Sequence, residues 1–183
     1  MHIQETTIPG CFEITPHVFT DERGSFVKTF HHDSFDKQGL ETEWREEYYS
    51  VSRKGVLRGM HFQLPPHDHA KLVYCTAGKV LDAVLDLRIG SPTFHRHVLI
   101  ELNDAKANML YLPKGVAHGF YTVSDSATMM YKVSTVYAPM YDTGILWNSI
   151  GIPWPDRHPV VSQRDSTLPA LSDFTDNPFQ YRS

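Results

Sequence analysis

Between Phe26 and Tyr137 the chain repeats one arrangement, a short apolar run followed by a turn signal. The runs are Phe26–Phe30, Glu47–Ser52, Val56–Gln63, Leu72–Thr76, Lys79–Leu87, Arg96–Glu101, Asn108–Leu112 and Met129–Tyr137. Between them stand Asp21-Glu22-Arg23-Gly24, Pro65-Pro66, Ala77-Gly78, Ile89-Gly90-Ser91-Pro92 and Pro113-Lys114-Gly115. Such glycine and proline clusters stop extended segments and reverse the chain. In the longest runs the side-chain period is two. Leu81, Ala83, Leu85 and Leu87 form one face, and Val80, Asp82, Val84 and Asp86 the other. Met129, Tyr131, Val133, Thr135 and Tyr137 likewise share a face. A period of two is the mark of a strand with distinct faces. Helix is sparse, with one short candidate at Asp33–Gln38, capped by Asp33 or Ser34 and stopped by Gly39. The C-terminal third, rich in proline and aromatics, is expected to wrap the core. The pattern implies an all-β fold, an antiparallel barrel or jelly roll with a few short peripheral helices and room for a ligand inside or at its mouth.

Composition narrows the function. At 183 residues the chain suits one domain, 1–183, which buries about 70% of its unfolded surface and needs no covalent staples. A net charge of -4 argues against nucleic acid as the main partner. Cys11 and Cys75 have no metal or disulfide spacing and read as buried thiols of a reducing compartment. No apolar run is long enough for a membrane helix and the N-terminus lacks signal-peptide character, so a cytoplasmic location is expected.

Chemistry concentrates in Gly55-Val56-Leu57-Arg58-Gly59-Met60-His61-Phe62-Gln63. Arginine and histidine are costly in a half-buried strand unless they have partners or a task. Arg58 suits an anion. A free imidazole, with a pKa of about 6.5, suits proton transfer near neutrality. Strict alternation would put Arg58 and His61 on opposite faces, so a bulge at Gly59 is expected to bring them to one site. Tyr131 and Tyr137, if on one strand face, offer phenols as proton donors or simply line a barrel with wet hydroxyls. Asp165 could orient a histidine, though a surface turn is the plainer reading. Pro113-x-Gly115-x-x-His118 resembles the second motif of the cupin superfamily, whose fold is a small jelly roll. With His67-Asp68-His69 it could bind a divalent ion. The glutamate that cupins add is missing, and Val73 and Tyr74 stand at its candidate positions.

Together these residues resemble the dTDP-4-dehydrorhamnose 3,5-epimerase family over about positions 3 to 168. The matching pieces begin with Asp21-Glu22-Arg23-Gly24, Ser50-x-Ser52, Gly55 to Gln63 and Lys71-Leu72-Val73. They continue with Asp86-x-Arg88-x-Gly90-Ser91-Pro92-Thr93-Phe94, Leu112-Pro113-x-Gly115-x-Ala117-His118-Gly119-Phe120 and Tyr131-Lys132. Tyr137-x-Pro139, Gly144-Ile145-x-Trp147-Asn148, Gly151-Ile152-x-Trp154-Pro155 and Ser162-x-x-Asp165 close the set. The resemblance implies a cupin-like jelly roll, no metal or other cofactor, and a homodimer with exchanged N-terminal strands. It implies a nucleotide-diphosphate 4-keto-6-deoxyhexose as substrate. His61, paired with Asp165, would take a proton from C3 or C5. Lys71 would stabilise the enolate oxygen and Tyr131 would reprotonate the opposite face. Arg23, Arg58, His118 and Arg164 would bind substrate, the basic ones at the diphosphate. Tyr137 would stack near the nucleotide. Alternatives are a metal-dependent cupin using His67, His69 and His118, and a non-catalytic sugar-nucleotide binder.

The chain departs from the family pattern at several positions. Arg164 stands where lysine is usual, and Asp142 where glutamate is. Lys28 stands where glutamate is typical, and Glu46-Glu47-Tyr48 where a Gln-Asp-Asn run is typical. In the family the positions of Lys28, Glu46 and Tyr48 lie around the nucleotide base and sugar. An acceptor-only side chain at 46 suits the amino donors of cytosine or guanine as well as a rearranged thymine site. The base and the choice between C3 and C5 therefore stay open at the level of sequence.

Overall fold

The computed structural model describes residues 1–182. Its two main sheets are antiparallel and face each other. The first has six strands in the order β1 (His2–Glu5), β2 (Phe12–Thr15), β10 (Met109–Leu112), β7 (Lys71–Ala77), β12 (Ser126–Val133), β5 (Glu46–Arg53). The second has five, in the order β13 (Asp142–Gly144), β6 (Leu57–Gln63), β11 (Val116–Thr122), β8 (Lys79–Asp86), β9 (His97–Asn103). A separate hairpin, β3 (Val18–Asp21) with β4 (Gly24–Val27), projects from the N-terminal region. Among the described residues helix is limited to α1 (His32–Asp36), α2 (Gln163–Ser166) and a 3-10 turn at Leu171–Asp173, and none of it is long and apolar enough to cross a membrane.

Three apolar layers follow from the alternation. Val80 and Val84 of β8 join Val73, Leu110, Val116, Phe120, Met129 and Tyr131 between the sheets. Ala83 and Leu85, on the other face of β8, meet Phe62, Ile145, Ile152 and Phe179 on the outside of the five-stranded sheet. Ile145, Ile152 and Phe179 belong to the C-terminal third, which wraps that sheet as its composition suggests. Phe35 of α1 and Leu40 cover the outside of the six-stranded sheet, against Leu72, Tyr74 and Met109. The motif Asp86-x-Arg88-x-Gly90-Ser91-Pro92-Thr93 is a turn clasp. The Asp86 carboxylate accepts from Arg88 Nε (2.8 Å), Ser91 Oγ (2.6 Å) and Thr93 Oγ1 (2.7 Å). Such charge-assisted bonds fix a buried loop that could not otherwise satisfy its polar groups.

Several boundaries differ from the sequence reading. α1 runs over His32–Asp36 rather than Asp33–Gln38, and its N-cap is His31, with no side-chain cap bond, rather than Asp33 or Ser34. β4 ends at Val27 rather than running on to Phe30. β12 ends at Val133, so Tyr131 and Tyr137 do not share a strand face. The reason is local: Ser134 N–H bonds to Ala70 O (3.1 Å), and the Thr135 hydroxyl turns to His67 O (2.9 Å), which bends the chain out of the ladder.

The expected irregularity in β6 is present. β11 pairs His118 with His61 but Phe120 with Arg58, so the register shifts between these pairs. Two residues of β6, Gly59 and Met60, lie opposite Gly119. The backbones approach so closely that a Cβ on Gly119 would stand 2.7 Å from Arg58 O and 2.9 Å from Gly59 Cα. Gly59 also has φ of +146°, a conformation that L side chains rarely adopt. Gly119→Ala is expected to lower stability by about 2–4 kcal/mol, measured as the urea unfolding free energy, because neither backbone can yield without breaking the ladder.

Candidate active site

A cavity of about 390 Å³ opens between the sheets. β6 and β11 supply Arg58, His61, Gln63 and His118, and β13 supplies Asp142. The facing sheet supplies Glu46, Tyr48 and Ser50 from β5, Lys71 from β7 and Tyr131 from β12. Tyr137 and Arg164 complete the rim. The bulge does what the sequence argument requires of it, since Arg58 and His61 line the same cavity.

His61 Nε2 lies 2.7 Å from Asp165 Oδ1, and the other carboxylate oxygen accepts from Gly59 N–H (3.2 Å). Asp165 is not on a surface turn. It is 3% exposed, on α2, where Ser162 Oγ caps the helix by accepting from Asp165 N–H (3.0 Å). Burial by itself would raise its carboxyl. The bonds from His61, Gly59 and Ser162 outweigh that and hold it below the usual carboxylate range. An ionised Asp165 fixes His61 as the Nε2–H tautomer and leaves the Nδ1 lone pair to act as a base.

Opposite stands Tyr131, 8% exposed, with its hydroxyl 3.1 Å from Ser50 Oγ. Burial pushes its phenol well above the ordinary value, so it holds its proton. Tyr48, its direct cross-strand neighbour, stacks on it with ring centroids 4.8 Å apart and planes at 16°. Burial lifts the Tyr48 phenol to about 12. His118 is buried and bonds through Nε2 to Asp82 Oδ2 (2.8 Å). Burial raises the Asp82 carboxyl, against the pull of His118 and Lys71.

Lys71 is 8% exposed and donates to His61 O at 3.4 Å, with no carboxylate in ion-pair reach among the described residues. Burial lowers its ammonium from 10.5 to about 8. Arg58 donates through Nε to Ser52 Oγ (2.9 Å) and through Nη2 to Val51 O (3.3 Å), and makes no ion pair among the described residues. Arg164 pairs with Asp142 at 2.7 Å. Glu46 accepts from Tyr137 N–H (3.0 Å).

Arg23 and Lys28 are the exceptions. Arg23 lies in the turn between β3 and β4 and Lys28 directly after β4, both are exposed, and neither lines this cavity. Arg23 instead folds back on Asp21. His67 and His69 are not in a solvated loop. His67 packs on Tyr141, while His69 has its Nδ1 at 3.2 Å from Gln63 Nε2 and its imidazole depressed to about 3 by burial and by Lys71. Among the described residues no three His, Cys, Asp or Glu side chains gather as a metal site, so His67, His69 and His118 form no ligand set. Sequence reasoning missed Ser50, Asp82 and Gln63. Period two could have found Ser50, on the same strand face as Glu46 and Tyr48. A lone acid in an apolar run, needing a partner, could have flagged Asp82.

A jelly roll with a His–Asp pair, a buried lysine and a protonated tyrosine converging on one cavity defines an enzyme of the cofactor-sized-ligand, acid–base class within the cupin-like folds. The dTDP-4-dehydrorhamnose 3,5-epimerase family model matches residues 5–173. The dTDP-4-dehydrorhamnose 3,5-epimerase of Shigella flexneri is 41% identical over 168 residues, 90% of this chain and 93% of the relative. The 4-keto-6-deoxy sugar epimerase NovW of Streptomyces spheroides superposes with a TM-score of 0.93 at 37% identity, covering 96% of this chain and 90% of its own. The epimerase RmlC of Legionella pneumophila, solved with dTDP-4-keto-L-rhamnose, gives a TM-score of 0.94 at 32% identity over 100% of this chain and 99% of its own. This chain belongs to the dTDP-4-dehydrorhamnose 3,5-epimerase family and is an isomerase-class enzyme.

The buried ammonium yields a test. Lys71→Met removes an unpaired internal cation at similar volume, so it is expected to stabilise the fold by about 2 kcal/mol while abolishing turnover. In the wild-type enzyme the charged form is lost as pH rises through about 8. kcat/KM is therefore expected to fall on that side, and thermal unfolding of the variant alongside a pH–rate profile checks both.

Proposed function

We propose that this enzyme inverts a carbon beside the ketone of a dTDP-linked 4-keto-6-deoxyhexose, C3 and/or C5, through an enolate. One observation carries the reading: a base with its orienting carboxylate stands on one wall of the cavity and a protonated phenol on the other. Inversion needs removal from one face of a planar centre and delivery to the opposite one. His61 Nδ1 takes the C–H proton, and Asp165 stabilises the imidazolium. As the C–H electrons move into the ring, charge develops on the ketone oxygen, where the Lys71 ammonium offers a preorganised counter-charge. Tyr131 returns a proton to carbon from the other face.

Arg58 and Arg164 suit the diphosphate, since both present guanidinium N–H groups at the cavity rim. His118, held by Asp82, presents its remaining ring nitrogen to the sugar. Glu46, Tyr48, Tyr137 and Asp142 line the nucleotide side. Thymidine is the nucleoside in the names of the relatives, and Lys28, the charge-reversed position, lies off this cavity. The active form in this reading is a homodimer with exchanged N-terminal strands. Its support is the hairpin of β3 and β4, which exposes Phe19 and Phe26 and carries Arg23 and Lys28 away from their own cavity.

In D₂O, followed by NMR with a dTDP-4-keto-6-deoxyhexose, His61→Asn is expected to abolish deuterium entry at every carbon. Tyr131→Phe is expected to keep some exchange and lose inversion by at least about a hundredfold. Epimerisation persisting in His61→Asn would refute the assigned base. For the nucleotide, calorimetry is expected to give dTDP at least about tenfold tighter binding than CDP or GDP, a gap of about 1.4 kcal/mol. Tighter CDP or GDP binding would instead place an amino-bearing base against Glu46.

A further inference from the structure

The reaction as proposed leaves the enzyme out of balance. After one inversion His61 carries an extra proton and Tyr131 lacks one. The two groups stand on facing walls, so neither can reset the other directly while substrate or product fills the space between. His61 can lose its proton to water. It also borders a second cleft, which shares Arg58, His61 and Arg164 with the main cavity and is lined further by Val56, Val160, Ser162 and Asp165. Tyr131 borders the main cavity, which substrate and product fill, and not the second cleft. Its side chain is buried and Tyr48 is stacked flat on its ring. A bare phenolate there is strongly disfavoured by burial.

Among the described residues one polar contact reaches the Tyr131 hydroxyl, that of Ser50 Oγ at 3.1 Å. Ser50 lies on β5, the edge strand of its sheet, and is only partly buried. We propose that Ser50 is the proton-return residue of this enzyme, joining the Tyr131 hydroxyl to solvent at the sheet edge. The step balances. Ser50 gives its hydroxyl proton to the Tyr131 phenolate as it takes one from a water molecule, leaving hydroxide. The imidazolium of His61 releases its proton to water through the second cleft, which neutralises that hydroxide. A hydroxyl suits this because it donates and accepts at the same atom. Tyr48 has a complementary part, since its ring covers one face of the Tyr131 ring.

The inference rests on Tyr131 being the acid, and the variants separate the two ideas. Ser50→Ala is expected to lower kcat for inversion about a hundredfold, with KM unchanged and with His61-dependent deuterium exchange retained. Ser50→Gly should behave the same way, which covers any local packing effect of the alanine methyl. Ser50→Thr, which keeps the hydroxyl, should restore kcat to within about threefold. A merely structural serine would shift KM or exchange as well, and threonine would not rescue it. Wild-type inversion by Ser50→Ala and Ser50→Gly, with Tyr131→Phe inactive, overturns the relay alone. Threonine as slow as alanine also overturns it. Normal inversion by Tyr131→Phe overturns both the acid and its relay.

Discussion

The close approach of Gly59 to Gly119 governs the rest of the site. Two strands with side chains between them could not come so near, and the absence of both Cβ atoms lets β6 slip by one residue against β11. That slip is worth more than its local energy. Without it, period two would send Arg58 into the cavity and His61 to the other side of the sheet, or the reverse. With it, one strand delivers Arg58 and His61 to the same space. The same backbone shift presents Gly59 N–H to Asp165, so the bulge also helps seat the carboxylate that orients the base.

Electrostatics in the cavity is divided by wall and by burial. Asp165 stays charged because three donors surround it, while Tyr131 stays neutral because little does. Lys71 is kept close to the edge of losing its proton, which makes it a strong but conditional counter-charge. Asp82 presses the other way on His118, a buried pair whose carboxyl is less acidic than usual and has one oxygen without a partner among the described residues. Such unsatisfied and uncompensated groups cost stability. Their concentration around one cavity fits a fold that gives up stability for chemistry.

Much of this was legible in the sequence, and the parts that were not have physical reasons. Alternation located the central strands because a sheet packed on one layer has two unlike faces, but it gave no sign of the short β1, β2, β3 and β13. It overran at Thr135, where a side chain bonding to His67 O competes with the ladder, a contact with a residue far away in sequence. The bulge could be inferred from Arg58 and His61 because a polar pair on opposite faces is a contradiction that glycine can resolve. Asp165 read as a surface turn, since nothing within its own segment reveals a partner 104 residues earlier. Only the family resemblance linked it to His61. Ser50 was quoted in a motif and still overlooked, because a small hydroxyl has no composition signal apart from its neighbour across the strands. Arg23 and Lys28, named only through the family pattern, lie on an exposed hairpin and line no part of the cavity.

The position of Asp165 also bears on how the molecule comes into being. His61, Lys71, His118 and Tyr131 are encoded before residue 134, whereas Tyr137, Asp142, Arg164 and the Asp165 carboxylate come after it, the last on a segment held by the Val56–Val160 bridge and by α2. The His61–Asp165 pair therefore depends on a contact of long sequence separation, made where the C-terminal segment packs on β6.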